Sequence, residues 1–274
     1  MDMQDKKIGV IGTGNMGESL INGLISFAKL SPNNIYVFDI DQNKLKKVTE
    51  QYKTQICSTN ENLLDKADII LLCVKPQGIE PVLEEISKHD KEHRAIISIA
   101  AGIETSFIEQ KVNKPIPVIR VMPNICATVH AAVSALCRGA YASDQTYQIG
   151  KAIFESIGQV VEVKEELMDV VTGLSGSGPA YIFLVIEALS AAGVILGLPE
   201  NIATILATQT TLGAAKMVLE TGLSPKTLKD KVTSPGGTTI QGLLALEKYN
   251  FRDALIDAVK KATARSRELR GTRT

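Results

Sequence analysis

Gly12-Thr13-Gly14-Asn15-Met16-Gly17 is the stretch that decides the fold class of this chain of 274 residues. It follows a β-rich run, Lys7–Ile11, and opens an amphipathic helical run, Asn15–Ser26. The first glycine permits a tight turn, the second lets the backbone approach a pyrophosphate, and the third lets the helix pack close to a sheet. Free N–H groups at the start of the helix would face the anion. This placement between a strand and a helix predicts a dinucleotide-binding Rossmann unit.

The rest of the first 165 residues keeps the same alternation of β-rich and helical runs. Further strands are predicted at Asn34–Asp39, Ile69–Val74, Ala95–Ile99 and Val118–Val121, and a helix at Gln42–Tyr52. Ile69–Val74 is apolar on both faces, which is typical of a central strand in a parallel sheet. Repeated strand, helix, strand units predict a doubly wound α/β sheet.

After Val163 the β-rich runs stop and only helical segments follow. They are predicted at Leu167–Leu174, Pro179–Leu196, Pro199–Thr221, Ser224–Lys231, Thr239–Lys248 and Phe251–Arg270. Small residues are frequent in these segments and would let helices approach each other closely. We therefore predict two domains, a Rossmann domain at residues 1–164 and an all-helical domain at residues 165–274.

Composition narrows the possible partners. The chain has 30 basic and 30 acidic side chains, so no basic excess is present to hold a nucleic acid.

The first predicted strand begins at Lys7, which leaves no room for a signal peptide and predicts a cytoplasmic protein. The four cysteines are scattered and are expected to be buried thiols. His89 and His93 stand four residues apart, but charged neighbours favour a solvated helix end, and we predict no metal.

The segment Pro179–Leu198 is about as long as a membrane span needs to be. It contains Glu187 and two glycines, Gly193 and Gly197, and a buried helix in an oligomeric core is the preferred interpretation. Too few other helices are available to cover it within one chain. We therefore predict a homodimer formed through the helical half, and no membrane.

An acidic residue ends the second predicted strand. Asp39 stands 22 residues after Gly17, where a carboxylate would accept hydrogen bonds from the adenosine ribose hydroxyls. A 2′-phosphate would be repelled there, so we predict a preference for NADH, with NADPH possible. Asp41 is expected to cap the following helix. Val74-Lys75-Pro76 and Ala100-Ala101-Gly102 end two other strands and would lie along the cofactor.

Two turns rich in glycine and hydroxyl groups precede helices in the second half. They are Gly173–Tyr181 and Thr233–Ile240. Each presents backbone N–H groups and hydroxyls at a helix N-terminus, which suits a carboxylate, although a plain capped turn would look the same.

These two turns carry a resemblance to the pyrroline-5-carboxylate reductase family that covers nearly the whole chain. Val171–Tyr181 and Val232–Ile240 are its most specific parts, with supporting matches at Val74–Pro76, Ala100–Gly102 and Arg120–Asn124. The resemblance implies hydride transfer from NAD(P)H to the C=N bond of 1-pyrroline-5-carboxylate, giving L-proline. It also implies a helical domain that interleaves with a partner in a dimer, often within a larger ring.

The resemblance also implies roles for single residues. Cofactor contacts are expected at Ile11, Gly12, Thr13, Gly14, Asn15, Met16, Gly17, Asp39, Asn60, Val74, Lys75, Pro76, Ala100 and Ala101. Substrate contacts are expected at Glu165, Ser234, Gly237, Thr238 and Thr239. Thr239 is the candidate catalytic residue, with an orienting hydroxyl on the ring nitrogen, because a threonine is a poor acid. The chain departs from the family pattern at Ile125-Cys126-Ala127 and at His130, beside the expected nicotinamide pocket.

Two alternatives stay open on the residues alone. One is a β-hydroxyacid dehydrogenase or another imine reductase with the same two-domain plan. Dehydrogenases of that kind carry a catalytic lysine on the helix after the glycine turn, and Ser177–Leu184 has none. The other is a non-catalytic module that senses NAD(H), in which the two turns would have no purpose.

Overall fold

The fold is described from a computed structural model covering residues 5–89 and 95–271. The chain forms one eight-stranded sheet. The strands are β1 (Ile8–Ile11), β2 (Ile35–Phe38), β3 (Gln55–Ile56), β4 (Ile69–Leu72), β5 (Ala95–Ser98), β6 (Val118–Met122), β7 (Ala132–Arg138) and β8 (Gly158–Glu162). Their order is β3-β2-β1-β4-β5-β6-β7-β8, and every neighbouring pair is parallel except β6 and β7. The predicted doubly wound α/β sheet is confirmed.

Helices connect the strands and make up the second half. They are α1 (Asn15–Ser26), α2 (Gln42–Tyr52), α3 (Asn60–Lys66), α4 (Ile79–Lys88), α5 (Thr105–Val112), α6 (Asp144–Glu155), α7 (Met168–Val171), α8 (Gly178–Ile195), α9 (Glu200–Thr221), α10 (Pro225–Lys231), α11 (Thr238–Lys248) and α12 (Phe251–Gly271). Asp41 caps α2, as predicted, because its carboxylate accepts hydrogen bonds from the backbone N–H groups of Asn43 and Lys44.

The sheet has one hydrophobic core on each face. Residues of α1, α2 and α6 contribute to one core, and residues of α3, α4 and α5 to the other. All four residues of β4 are buried, and β4 lies between β1 and β5, which confirms the prediction of a central strand. The strand ends at Leu72, two residues before the predicted end at Val74. Its partner β1 ends in register at Ile11, where the glycine turn leaves the sheet and the ladder stops.

Contacts divide the chain into two compact units. The first comprises the described parts of Met1–Gly176 and Ala262–Thr274, and the second is Ser177–Lys261. Residues 165–176 and the end of α12 thus pack with the sheet, whereas the sequence predicted a break after residue 164. The predicted boundary marks the end of strand-forming sequence rather than the end of this packed unit.

In the second unit, α8 packs against α9 over small residues. A Cβ added at Gly193 would lie 2.9 Å from the Cβ of Ala203, so the close approach of the two helices requires the glycine. No residue of α8 is fully buried within the single chain, and Ile195 and Leu196 are more than four-fifths exposed. By length and composition alone, two helical runs could cross a membrane, Glu165–Ile195 and Glu200–Thr221.

Candidate functional site

The glycine turn between β1 and α1 has the geometry that a dinucleotide requires. Gly12 has a φ of +98°, and a Cβ there would lie 2.8 Å from the carbonyl of Cys73. A Cβ at Gly17 would lie 2.1 Å from the carbonyl oxygen of Gly12. A Cβ at Gly14, in contrast, meets no described atom within 4 Å. Gly12 and Gly17 therefore permit internal packing, whereas Gly14 leaves open space before the first turn of α1.

Asp39 follows β2 and is fastened to the same turn. Its Oδ2 accepts hydrogen bonds from the backbone N–H of Thr13 at 2.6 Å and from the Thr13 hydroxyl at 3.0 Å. Its Oδ1 accepts the N–H of Asp41 at 2.8 Å. A carboxylate has about four acceptor sites, so roughly one stays available for a ribose hydroxyl. The structure thus brings Asp39 and Thr13 together, a contact that the sequence did not predict.

Asn60 lies near the end of β2, because it lines the same cleft as Phe38, the last residue of that strand. It is the first residue of α3 and is only 8% exposed. Its Oδ1 is buried and has no hydrogen-bond partner among the described residues. A cleft of about 520 Å³ is lined by Asn60 together with Phe38 and Ile40. A buried acceptor without a partner, beside a cleft, fits an adenosine moiety.

Past the end of β4, the predicted segment Val74-Lys75-Pro76 begins beside the glycine turn, where the backbone N of Val74 lies 3.0 Å from the point where a Cβ of Gly12 would sit. The N–H of Cys73 donates to the carbonyl of Ile11 at 2.8 Å, and Pro76 begins a short 3₁₀ turn before α4.

Burial raises the pKa of the Cys73 thiol to about 12, so the thiol is neutral at this edge. Cys57 and Cys137 are buried as predicted, whereas Cys73 and Cys126 are partly exposed, and all four are free thiols.

Ala100 and Ala101 lie in a tight loop after β5. Ala100 is 3% exposed, and its N–H donates to the Ser98 hydroxyl at 3.3 Å. Gly102 has a φ of +73°, a conformation that glycine adopts without strain. The loop ends at Glu104, directly before α5. Ala101 is the exposed residue of this loop, which follows β5 next to β4.

The carboxylate of Glu165 is engaged within the first unit. It pairs with the guanidinium of Arg120, which is 2% exposed on β6. It also accepts the Thr105 hydroxyl at 3.0 Å and lies 3.5 Å from the Cys137 Sγ. Burial, followed by the charge of Glu165, raises the pKa of Cys137 to about 12. Sequence reasoning placed Glu165 near the substrate but missed Arg120, which stands 45 residues earlier.

The Ser234–Thr239 turn belongs to the second unit. Gly236 has a φ of +71°, and the Gly237 N–H donates to the carbonyl of Ser234 at 3.1 Å. Gly237 is the N-cap of α11, and Thr238 and Thr239 are its first two residues. The first N–H groups of a helix have no partner within it. The turn therefore presents backbone donors and two hydroxyls at one helix end, as predicted.

The two departures from the family pattern lie together in the first unit. Ile125–Val129 is a 3₁₀ turn capped by Asn124, and Asn124 also donates to the carbonyl of Ser175 at 3.1 Å. His130 has a φ of +56°, which explains why a glycine suits this position. Its ring lies 4.3 Å from that of Phe27 and 3.2 Å from the Asn22 amide, contacts that a glycine would lack.

Within the described residues, no group of three or more His, Cys, Asp or Glu side chains could hold a metal ion. His89 pairs with Asp65 at 2.9 Å at the end of α4. His93, its predicted neighbour, lies outside the described residues.

Comparison with known proteins matches both halves of the chain. A family described as pyrroline-5-carboxylate reductase dimerisation matches residues 165–269, and one described as NADP oxidoreductase, coenzyme F420-dependent, matches residues 7–102. A pyrroline-5-carboxylate reductase of Methanosarcina acetivorans is 44% identical and aligns over 97% of this chain and 99% of its own length.

Two solved structures with high similarity are also pyrroline-5-carboxylate reductases. That of Coxiella burnetii has a TM-score of 0.91 at 37% identity, covering 96% of this chain and 98% of its own. That of Plasmodium falciparum, with NADP bound, has a TM-score of 0.87 at 31% identity, covering 98% and 99%.

Proposed function

This chain belongs to the pyrroline-5-carboxylate reductase family. We propose how its own residues carry out the reaction of this family. The reaction is the NAD(P)H-dependent reduction of the ring C=N bond of 1-pyrroline-5-carboxylate to L-proline, the last step of proline biosynthesis. The observation that carries the proposal is the glycine turn, in which Gly12 and Gly17 are needed for packing while the space at Gly14 is open.

The residues of the first unit fit a nicotinamide dinucleotide. The N–H groups at the start of α1 would bind the pyrophosphate, and Asn60 and Asp39 would bind the adenosine portion. Val74–Pro76 and the Ala100–Ala101 loop would hold the other end. The cofactor supplies the hydride when bound.

The substrate is held, in this proposal, by the turn that opens α11. Its carboxylate would lie beside Gly237 and accept hydrogen bonds from the N–H of Thr238 and from the Ser234 hydroxyl, since a helix N-terminus favours an anion. In this proposal, Glu165 also lies near the substrate. Its carboxylate is already fixed by Arg120 and Thr105, so it would act with a set orientation.

Little further chemistry is asked of the protein. A protonated cyclic imine is electrophilic, so rate depends mainly on proximity and orientation. The hydroxyl oxygen of Thr239 would accept a hydrogen bond from the ring N–H of the imine. This bond would fix which face of the ring is presented to the hydride. No general acid is needed, because the imine already carries the proton that proline keeps.

The helical unit supplies the oligomer. Residues 165–269 match a dimerisation family, and the apolar surface of α8 is uncovered within one chain. We propose that a second copy covers it, that dimers assemble further into a ring, and that α8 and α9 lie in the dimer core rather than in a membrane. A cytoplasmic location and the absence of a nucleic-acid partner belong to the same proposal.

NADH is the proposed preferred cofactor, with NADPH a weaker donor. The residues after Asp39 are Ile40, Asp41 and Gln42, none of which is a cation for a 2′-phosphate. Lys44, the first cation after Asp39 in the sequence, is paired with Asp41 at 3.4 Å. The Plasmodium falciparum structure, by comparison, has NADP bound.

The direct test is loss of absorbance at 340 nm when the protein, reduced cofactor and 1-pyrroline-5-carboxylate are mixed, with proline identified as the product. A parallel assay with 3-hydroxy acids and oxidised cofactor tests the dehydrogenase alternative. Absence of proline, with cofactor binding intact, would leave the sensing module as the better account.

A further inference from the structure

The loop at Ala100–Glu104 lies at the reacting end of the proposed cofactor site. β1 and its glycine turn occupy the middle of the edge, β2 with Asp39 lies on one side, and β4 and β5 lie on the other. A dinucleotide bound across β1 with its adenosine portion at β2 places its nicotinamide toward β4 and β5. The shape of the Ala100–Glu104 loop therefore determines how closely the protein surrounds the nicotinamide.

Ala100 and Ile103 are buried in a hydrophobic core and anchor the loop at these two points, whereas few interactions within the loop fix the residues between and after them. The N–H of Ile103 reaches the carbonyl of Ala100 at 3.4 Å, and Ala101 is exposed. Gly102 adds conformational freedom, because a glycine backbone can adopt more conformations than that of any other residue. Ordering the loop therefore costs more entropy at this position. Contacts from outside the loop would restrict this freedom.

Such contacts come from the other end of the chain. The Arg270 Nη1, in the last turn of α12, lies 2.9 Å from the Glu104 Oε1. The backbone N and Cα of Arg270 lie 3.9 Å from the point where a Cβ of Gly102 would sit. One residue of α12 thus pairs with the last residue of the loop, 166 positions earlier, and lies beside Gly102.

Arg270 is itself held in place by a buried carboxylate. Asp169, on α7, is 2% exposed, lies 3.3 Å from the same Nη1 and accepts the Ser266 hydroxyl at 2.7 Å. A buried carboxylate needs a compensating partner, so it fixes the guanidinium strongly. The Glu104 carboxylate, by comparison, is about one-third exposed, and its ion pair adds little to global stability.

We propose that Arg270 is a positioning residue for the nicotinamide end of the cofactor. Anchored on Asp169, it holds Glu104 and Gly102 so that the Ala100–Glu104 loop is ordered before the cofactor binds. The inference rests on the proposed cofactor site. Because the loop is ordered in advance, its ordering entropy does not reduce cofactor affinity.

The test compares Glu104→Gln, Arg270→Met and Arg270→Lys, with Arg265→Met as the matched control. Arg265 pairs only with Glu268 on the exposed face of α12 among the described residues. The dissociation constant of NADH is measured by nicotinamide fluorescence without imine, and kcat, both KM values and Tm are measured beside it.

We expect Glu104→Gln and Arg270→Met to weaken NADH binding about fivefold, the loss that follows when a loop must be ordered on binding. The KM of the imine should change less than twofold, Arg270→Lys should recover most of the affinity, and Arg265→Met should match the wild type. Glu104→Gln should also keep the Tm of the wild type, which separates positioning from folding.

NADH affinity within twofold of wild type in both Glu104→Gln and Arg270→Met would overturn the inference, whatever their Tm. A wild type that binds no NADH or NADPH would instead overturn the proposed cofactor site, and this inference with it.

Discussion

Asp39 holds Thr13 by two hydrogen bonds, from the backbone N–H at 2.6 Å and from the hydroxyl at 3.0 Å. The end of β2 is thereby tied to the glycine turn of β1, 26 residues earlier. The carboxylate that would bind the ribose also fixes the loop that would bind the pyrophosphate. In the proposed site, cofactor selection and cofactor affinity would therefore depend on the same side chain.

Asp39→Ser should change both properties. Removing the carboxylate removes the repulsion of a 2′-phosphate, so kcat/KM for NADPH relative to NADH should rise by about tenfold or more. The lost bonds to Thr13 should weaken the binding of both cofactors. Steady-state kinetics with each cofactor checks this, and Glu50→Ser, which removes an exposed carboxylate paired with Lys46 on α2, is the control. A wild type that favours NADPH would show that Asp39 does not select the cofactor.

Gly14→Ala and Gly17→Ala should fail in different ways. A methyl group at Gly17 would overlap the carbonyl oxygen of Gly12, so unfolding free energy should fall by about 3 kcal/mol, a large value for one methyl. A methyl at Gly14 meets no described atom, so Tm should hold while NADH affinity falls about tenfold, because the pyrophosphate can no longer approach. Thermal melts and cofactor titration separate the two. Equal loss of Tm in both variants would contradict the assignment.

Thr239→Val keeps the shape of the side chain and removes its hydroxyl. If the hydroxyl orients the ring nitrogen, kcat/KM for the imine should fall by about 10²-fold, within the range for positioned polar groups. Cofactor affinity and Tm should stay as in the wild type, and Thr239→Ser should keep most of the activity. Near wild-type turnover in Thr239→Val would remove Thr239 from the mechanism.

The chain should be an obligate dimer. Phe183 and Leu184 on α8 are more than half exposed in the single chain, and burial of such apolar surface drives association. Leu184→Arg should give monomers by light scattering and lose activity, whereas Val161→Lys, on β8 of the sheet, should stay dimeric. A wild-type monomer that is stable and active at nanomolar concentration would refute the prediction.

Local sequence was enough to predict the features that depend on adjacent residues. The glycine turn, the cap at Asp41 and the ends of α1 and α2 each follow from a short pattern with its own physical cause. The sequence pattern does not identify three strands, β3, β7 and β8, and β3 has only two residues. β7 contains Ser134 and Arg138 and runs against β6, and β8 is largely exposed, so neither shows the apolar run of a central parallel strand.

Contacts between distant residues could not be predicted in this way. Nothing near Glu165 in the sequence indicates that Arg120 and Thr105 bind its carboxylate. Nothing near Glu104 indicates Arg270. These pairs exist because α7 and the end of α12 pack on the sheet, and a pattern of hydrophobic residues reports that a helix is amphipathic without naming its partner.

The return of α12 to the first unit makes the dinucleotide module discontinuous along the gene. A fragment that stops after residue 164 would lose Glu165 and leave the buried guanidinium of Arg120 without its counterion. One that stops after residue 176 would keep Asp169 but lose both Ser266 and Arg270, the groups that bind its carboxylate. Exchange of modules between relatives, by recombination or by design, must therefore carry the two segments together.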